Sequence, residues 1–224
     1  MRKVIVWSIV LMLATAPIAT AQTEPVSEAD KTLYALGLAI SQNLASFVLT
    51  EAELRQVVAG FTDGTLGKEP RVDVNAYRPK IQELQRGRMA AAAATEKKMG
   101  QSFLDEAARM PGAQKTASGL VIIPITPGTG DSPKAADKVK VHYHGTLTDG
   151  TVFDSSVQRG EPATFPLDGV IKCWTEGVQL MKVGGKSRLV CPADIAYGDR
   201  GAPPRIRPGA TLVFEVELLD IVKK

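Results

Sequence analysis

The chain has 224 residues, enough for one large domain or two small ones, and its 44% hydrophobic and 23% charged residues are ordinary for a folded protein. The formal net charge is +3, and two of the positive charges, Arg2 and Lys3, lie at the extreme N-terminus. The remaining chain is nearly neutral, which excludes the strongly basic surface expected of a protein that binds nucleic acid.

The N-terminus has the layout of a secretory signal peptide. Two basic residues precede an apolar run over residues 4–14. The small residues Ala19-Thr20-Ala21 then suit a cleavage site for removal of the signal peptide. We therefore predict a signal peptide over residues 1–21 and export to the periplasm, with a mature chain beginning at Gln22. The alternative is an N-terminal membrane anchor, but the apolar run is short for a span and Pro17 interrupts it. Association of the exported protein with the outer membrane or the cell surface stays open.

An all-α module is predicted over residues 22–74. Ser27 and Thr50 each begin a capping-box pattern, the first before a helix over residues 31–49 and the second before a helix that is followed by turn residues at 63–64 and 66–70. Two short helices cannot close a core alone, so we expect a second copy of the chain to cover them in a homodimer. The apolar positions at helical spacing are Leu33, Leu36, Ile40, Leu44, Phe47, Val48, Leu54, Val57, Val58 and Phe61.

A long connecting helix is predicted over residues 75–111. Pro79 suits a first helical turn, and strong helix formers continue from there to Arg109. At 1.5 Å per residue, roughly thirty residues would span about 45 Å. Because the alanine tract of residues 90–94 offers little surface to bury, we expect a solvated spacer, with an ordinary core helix as the alternative. Pro111 marks the end of this segment.

Residues 112–224 change to a period of two, which is typical of strands. One short helix interrupts them and places Trp174, Val178 and Met181 on a single face. This pattern predicts an α+β domain in which a curved antiparallel sheet wraps one short helix. The strands are predicted over residues 119–125, 139–147, 186–191 and 211–222.

A predicted hairpin in this domain brings a carboxylate back beside an aromatic side chain. The turn at Asp149-Gly150 returns Phe153 and Asp154 toward Tyr143. A carboxylate among aromatic rings is costly to bury unless it is hydrogen-bonded. On composition alone, plain core packing explains the aromatic residues of this domain better than a binding site does.

The two cysteines, Cys173 and Cys191, both lie in the part of the chain that we predict to be exported. An oxidising compartment favours a disulfide between them. The alternative is a pair of buried thiols.

Other motifs point to no further chemistry. His142 and His144 share the outward face of a strand, and two solvated histidines are a better interpretation than a metal site because nothing completes the ligand set. The run Gly184-Gly185-Lys186-Ser187 resembles the end of a phosphate-binding loop, but Leu180 stands where the first glycine is needed. We predict no metal.

Five blocks of the C-terminal half, taken in order, resemble the FKBP-type peptidyl-prolyl isomerases. The layout upstream, together with residues 103–106 and 118–120, is similar to the exported bacterial subfamily of macrophage infectivity potentiator and FkpA-like proteins, which joins a dimerisation module to the isomerase by a long helix. The blocks are Val141-His142-Tyr143-His144-Gly145, Gly150 with Phe153-Asp154-Ser155-Ser156, Val170-Ile171 before Trp174-Thr175-Glu176-Gly177, Ala196-Tyr197-Gly198, and residues 211–219.

The resemblance implies a binding pocket and the role of each residue in it. Trp174 would form the floor, Asp154 and Tyr197 would supply polar contacts at the rim, Arg159 would lie near the aspartate, and Ile206 would be an apolar loop contact. The walls would be formed by Tyr143, Phe153, Phe165, Val170, Ile171 and Phe214. Three positions depart from the family pattern and put substrate preference in doubt. They are Ala163, where an aromatic is frequent, Ala202, where some members carry histidine, and Arg205, where an aliphatic residue is common.

The function implied by the resemblance is peptidyl-prolyl cis–trans isomerisation on proline-containing peptides and unfolded exported proteins. No bond is made or broken in this reaction, so it needs no cofactor. The macrolide inhibitors of the family, tacrolimus and rapamycin, would be ligands. A dimeric holding chaperone is the alternative from a different functional class, and a host-interaction factor is a third.

Overall fold

The structure is a computed structural model that describes residues 27–222. Its contacts divide the chain into two units, with the division between Ala39 and Ile40. The predicted signal peptide over residues 1–21 and the predicted mature terminus lie outside the described residues. Within the described range, no helix is both long and apolar enough to cross a membrane.

Five α-helices and seven strands make up the described chain. The helices are α1 Glu28–Ser41, α2 Glu51–Thr65, α3 Val74–Ala107, α4 Ser156–Arg159 and α5 Lys172–Gln179. The strands are β1 Gln114–Lys115, β2 Val121–Thr126, β3 Lys138–Leu147, β4 Val152–Ser155, β5 Ala163–Pro166, β6 Lys186–Cys191 and β7 Leu212–Val222. Short 3-10 segments cover Gln42–Phe47, Leu167–Gly169, Ala193–Ile195 and Gly198–Arg200.

Helix α1 begins at its predicted cap but is shorter than predicted. The Ser27 hydroxyl donates to Asp30 Oδ2 at 2.7 Å, and the Asp30 N–H donates to Ser27 Oγ at 3.1 Å. The α-helix ends at Ser41, whereas the sequence pattern extended it to residue 49. Ser41 and Asn43 are poor helix formers, and the chain tightens there into a 3-10 segment.

Helix α2 has the predicted capping box. The Thr50 N–H donates to the Glu53 carboxylate at 2.9 Å, and the Glu53 N–H donates to Thr50 Oγ1 at 3.4 Å. Of the two turn segments predicted after this helix, residues 66–70 mark its end, since α2 continues through residues 63–64 to Thr65. Asp63 stabilises the turn that follows, since its carboxylate pairs with Arg71 at 3.0 Å.

Helix α3 begins five residues before Pro79, where the sequence placed its first turn. The Asp73 side chain caps it by accepting from the Asn75 N–H at 2.9 Å. The helix continues for 34 residues to Ala107. At 1.5 Å per residue it is therefore about 51 Å long.

The second half of α3 is packed on the C-terminal sheet, so the prediction of a solvated spacer describes only its first half. Ala93 is 2% exposed and Gly100 is also buried. A Cβ atom on Gly100 would lie 2.1 Å from Thr211 Oγ1, and one on Gly209 would lie 2.4 Å from the Ala93 carbonyl oxygen. Small residues on both sides therefore allow the helix backbone to approach the start of β7 closely.

The strands form one antiparallel sheet, in the order β1-β2-β6-β7-β3-β4, with β5 also paired to β3. The predicted alternation is confirmed along β3 and β7, where the residues predicted to face inward are buried and the intervening residues are partly or fully exposed. The buried set is Val139, Val141, Tyr143, Leu147, Leu212, Phe214, Val216 and Leu218.

Strands β2 and β6 are covered on both faces. Leu120, Ile122 and Leu189 belong to the core cluster beneath α5. On the opposite face, Leu104 and Ala107 of α3 form a second cluster, packed with Val121, Ile123 and Val190 of the sheet. Double coverage explains why residues 120–123 are continuously apolar instead of alternating.

The predicted disulfide is present between Cys173 and Cys191, which are 18 residues apart in the chain. Both cysteines are fully buried. The bond joins α5 to β6 directly beside Trp174, so it ties the helix that carries this tryptophan to the sheet.

Candidate functional site

A cavity of about 470 Å³ opens between α5, the long strand β3 and the loop that follows the 3-10 segment at Ala193–Ile195. Nine of the eleven side chains that the sequence assigned to a site line this cavity. The lining residues are Tyr143, Phe153, Asp154, Phe165, Gly169, Val170, Ile171, Trp174, Tyr197 and Phe214. Gly169 was not among the predicted residues, and no sequence signal marks it.

The aromatic rings of the cavity meet edge to face around Trp174. The ring centroids of Tyr143 and Phe214 lie 5.3 Å from that of Trp174, and the centroid of Phe165 lies 5.7 Å from it. Phe153 contacts Phe214 in the same way, at 5.4 Å. Such perpendicular contacts are the favoured geometry for aromatic pairs, and they leave a rigid apolar surface.

Gly145 allows two of these rings to lie against β3. A Cβ atom at this position would be 2.7 Å from Phe153 Cζ and 3.1 Å from Phe214 Cε1. Contacts this short would force both rings to move, so the absence of a side chain at Gly145 sets the shape of one wall. Gly145 belongs to one of the family blocks quoted above, but the resemblance assigned it no role.

Asp154 lies at the rim of the cavity and is held by two donors. The Tyr143 hydroxyl donates to Asp154 Oδ2, and Arg159 Nη1 donates to Asp154 Oδ1 at 2.5 Å. Arg159 Nη2 also donates to the Tyr143 hydroxyl oxygen at 2.9 Å. Arg159 does not itself line the aromatic cavity, so it acts on the cavity through the other two residues.

The protonation states of this triangle follow from its hydrogen bonds. Burial alone would raise the pKa of Asp154, but the hydrogen bonds from Tyr143 and Arg159 outweigh it and lower the pKa of the carboxyl. Burial raises the pKa of Tyr143, and the hydrogen bond to Asp154 adds to that effect. Hydrogen bonds to Tyr143 and to Asp154 raise the pKa of Arg159. At neutral pH the triangle is therefore a carboxylate, a neutral phenol and a guanidinium.

Tyr197 also lines the cavity and is 41% exposed. Within residues 27–222, its hydroxyl has no hydrogen-bond partner, so it is free to bind a ligand.

Ile206 is placed differently from the prediction. It is buried in the core, its backbone pairs with that of Ala202, and it does not line the cavity. Its role as a substrate contact stays a prediction.

Helix α3 anchors the loop that carries Tyr197. Lys97 pairs with Asp194 at 2.7 Å and with Asp199 at 2.6 Å, on either side of that tyrosine in the chain. Farther along the same loop, Arg207 pairs with Glu96 at 3.1 Å. The second half of α3 therefore positions one rim of the cavity without contacting its interior.

The two histidines singled out from the sequence lie outside the cavity. His142 Nδ1 is 3.2 Å from Ser156 Oγ, and His144 Nδ1 is 3.0 Å from Ser155 Oγ. Over the described range of the chain, no group of three or more His, Cys, Asp or Glu side chains is arranged to hold a metal ion.

Comparisons with known proteins identify both parts of the chain. The family described as FKBP-type peptidyl-prolyl cis-trans isomerase matches residues 130–219, and the family described as the domain amino terminal to FKBP-type peptidyl-prolyl isomerase matches residues 29–121. Together these matches cover most of the described chain.

Individual relatives agree with the family matches. The chain is 44% identical to the FKBP-type isomerase FkpA of Aeromonas hydrophila over 94% of its own length and 82% of the relative's. It is also 44% identical to the FKBP-type 22 kDa isomerase of Escherichia coli, over 84% and 93% of the two chains. The crystal structure of FkpA from Escherichia coli superposes with a TM-score of 0.64 at 36% identity, covering 87% of this chain and 97% of that one. The chain therefore belongs to the FKBP-type peptidyl-prolyl cis–trans isomerases.

Proposed function

We propose that the aromatic cavity is the active site, and that it accelerates rotation about X–Pro bonds by binding the twisted amide better than the planar one. The observation that carries this proposal is an apolar, ring-lined cavity whose rim holds one ionised carboxylate, Asp154, and the Tyr197 hydroxyl, which has no hydrogen-bond partner among the described residues. A prolyl ring is apolar and compact, so it suits the floor formed by Trp174.

The physical basis of catalysis is differential binding. The barrier to rotation about an X–Pro bond is about 18–20 kcal/mol because the planar amide is stabilised by resonance, and uncatalysed rotation takes tens of seconds. Twisting removes that resonance and makes the carbonyl less polar. A cavity that strips water from the carbonyl therefore destabilises the planar amide more than the twisted one.

The polar groups at the rim have separate roles in this proposal. The Tyr197 hydroxyl donates to a peptide carbonyl and holds the substrate. Asp154 supplies a fixed negative charge beside the rotating carbonyl, and the hydrogen bonds from Tyr143 and Arg159 keep that charge in place before the substrate arrives.

The test is a proline-peptide isomerisation assay on the wild type and on Tyr197→Phe. We expect wild-type turnover well above the uncatalysed rate, and a value of kcat/KM that is about two- to tenfold lower in the variant, which loses one neutral hydrogen bond. Tyr77→Phe is the control, since Tyr77 is an exposed tyrosine on α3. Wild-type turnover at the uncatalysed rate would refute the enzymatic assignment.

The partners that we propose are a second copy of the chain and unfolded exported proteins in the periplasm. Large apolar side chains on the N-terminal helices support this proposal, because they are exposed in the single chain and need a cover. They include Leu33, Leu36, Leu54, Val58 and Phe61. The homodimer would use these helices, and the two cavities would bind one client together with increased avidity.

A holding chaperone is the second candidate function, and the same exposed apolar helices favour it. Under this alternative, isomerase turnover is secondary to the binding of unfolded chains or to interaction with a host. The two functions differ in which part of the chain they need. Isomerisation needs the cavity, whereas holding needs the dimer.

A fragment over residues 91–224 separates these functions, because it retains the half of α3 that packs on the sheet. We expect the mature protein to sediment as a dimer and the fragment as a monomer. The fragment should turn over proline peptides at a similar rate per cavity but lose suppression of client aggregation. Equal suppression by the fragment would place the holding activity in the isomerase domain, and a monomeric mature protein would refute the dimer.

Macrolide inhibitors of the family are further proposed ligands. Tacrolimus and rapamycin would occupy the aromatic cavity in place of the prolyl ring, so inhibition should be competitive with the peptide. The departures at Ala163, Ala202 and Arg205 do not line the cavity, so they should change macrolide affinity without changing the fit at the floor.

A further inference from the structure

A second cavity of about 440 Å³ adjoins the aromatic cavity and differs from it in chemistry. Phe153 and Asp154 line both, so the two cavities share a wall. The second cavity is also lined by four other polar side chains, those of Ser155, Gln158, Arg159 and Arg205. A peptide seated in the aromatic cavity would therefore pass next to two guanidinium groups.

The charges of this polar cavity do not cancel. Asp154 and Arg159 pair with each other and together contribute no net charge. Arg205 donates from Nη1 to the backbone carbonyl of Phe153 at 3.3 Å, and it makes no ion pair within residues 27–222. Its loop neighbour Arg207 differs, because it pairs with Glu96 and with Asp149. Among the described residues, the polar cavity thus carries one uncompensated positive charge, and Arg205 is its source.

The geometry of Arg205 suits a carboxylate. A guanidinium has five N–H donors in a planar fork, and the contact with Phe153 uses one of them. The remaining donors can bind both oxygens of a carboxylate, and charge-assisted bonds of this kind are stronger than neutral ones. A backbone contact also restricts where the long side chain can go, so less freedom is lost when an anion binds.

We propose that the polar cavity is a subsite for an acidic side chain of the substrate, and that Arg205 is the residue that selects it. This inference rests on the proposed binding of proline in the aromatic cavity. An extended peptide advances about 3.3–3.6 Å per residue, so the selected Asp or Glu would lie one or two positions from the proline. The substrates preferred by this protein would then be acidic prolyl segments.

The size of the preference follows from the exposure of Arg205, which lies at the surface of the loop. Exposed ion pairs are weakened by solvent and salt, and charge-assisted hydrogen bonds add to them. We expect kcat/KM for a peptide with Glu beside the proline to exceed that for its Gln counterpart by about two- to tenfold at low ionic strength. The difference should shrink as salt is added.

The experiment compares Glu and Gln peptides that are otherwise identical, with the test residue one or two positions before or after proline, on the full chain and three variants. Arg205→Gln should remove the preference for Glu, and Arg205→Lys should retain part of it. Arg200→Gln is the matched control. It removes the same charge from the same loop, and it makes no ion pair within residues 27–222. It lines a different cavity, beside Gln85 of α3 and Ser46 of the 3-10 segment that follows α1. This control should keep the wild-type preference.

Three results would overturn the proposal. Equal kcat/KM for every Glu and Gln pair on the wild type would mean that no acidic subsite exists. Equal loss of preference in Arg205→Gln and Arg200→Gln would mean that the preference for Glu comes from the electrostatic field of the whole loop, and not from a site at Arg205. If the wild type turned over none of the peptides, the proposed isomerase site would fail and the subsite with it, whereas turnover without a preference would refute the subsite alone.

Discussion

Leu104→Ala is expected to lower the free energy of unfolding of the isomerase domain by about 2–5 kcal/mol, the usual cost of truncating a buried leucine. Leu104 is 3% exposed and packs with Val121, Ile123 and Val190 on the sheet face opposite α5. The truncation would leave a cavity between α3 and the sheet that neither side can easily fill. The measurement is urea denaturation of a protein that lacks residues 1–21, in which Trp174 is the remaining tryptophan and reports by fluorescence.

Leu84→Ala is the matched control for this prediction. Leu84 lies on the first half of the same helix and is 45% exposed. Its truncation should change the free energy of unfolding by less than about 0.5 kcal/mol. Similar small losses in both variants would mean that the end of α3 contributes little to the domain, and that the helix is a spacer along its whole length.

Asp154→Ala is expected to lower kcat/KM for proline peptides by about ten- to a hundredfold, because it removes the charge proposed to act on the rotating carbonyl. It also leaves the Arg159 guanidinium and the Tyr143 hydroxyl without their shared acceptor. Asp154→Asn keeps the shape and one acceptor oxygen but not the charge, so it should fall between the wild type and the alanine variant. The measurement is kcat/KM in the peptide assay for all three proteins.

Asp168→Ala controls for a change in net charge near the cavity. Asp168 is exposed and lies in the short 3-10 segment directly before Val170, and it does not line the cavity. Its kcat/KM should stay within about twofold of the wild type, since exposed charges act weakly at a distance. Full activity of Asp154→Ala, with the fold intact by circular dichroism, would show that the carboxylate has no part in catalysis.

The same carboxylate makes a specific prediction for pH dependence. The pKa of Asp154 is lowered in the folded protein, so the carboxylate is ionised at every pH above its ordinary value of about 4. The pKa of Tyr143 is raised, so the phenol stays protonated beyond neutral pH. The value of kcat/KM should therefore be flat between about pH 5 and pH 8. A bell-shaped profile within that range would contradict the proposed protonation states.

The stability that Asp154 contributes should also depend on pH, in the direction set by its lowered pKa. Because folding lowers the pKa of this group, its contribution is fully present above the unfolded value of about 4 and is lost as the pH falls through the lower, folded value. The difference in free energy of unfolding between the wild type and Asp154→Asn should thus be constant at neutral pH and shrink in acid.

Much of the fold could be predicted from local periodicity. The alternation along β3 and β7 placed every buried apolar residue of those strands on the correct face. The capping patterns at Ser27 and Thr50 marked the true starts of α1 and α2. These predictions hold because helix and strand geometry fixes where consecutive side chains point, whatever packs against them later.

The residues of the aromatic cavity were found for a different reason. Periodicity and composition favoured plain core packing for them, and only the ordered family blocks indicated that Tyr143, Phe153 and Trp174 line a cavity. Neither the periodicity nor the family blocks predicted which donor binds each carboxylate oxygen of Asp154. The distances show that one carboxylate oxygen accepts from Tyr143 and the other from Arg159, an arrangement that depends on how β4 and α4 lie against β3.

By itself, the sequence determined where α1 and α2 begin, which faces of the elements are apolar, the α+β class and most of the residues that line the cavity. Only the tertiary structure decided that Ala93 and Gly100 are buried, that Ile206 faces the core and that Arg205 makes no ion pair within residues 27–222. The physical reason is that the direction of a side chain is set by its own backbone, whereas burial and charge compensation depend on residues far along the chain. Gly209 and Thr211 meet α3 more than a hundred residues after Ala93 and Gly100, and no local pattern records that contact.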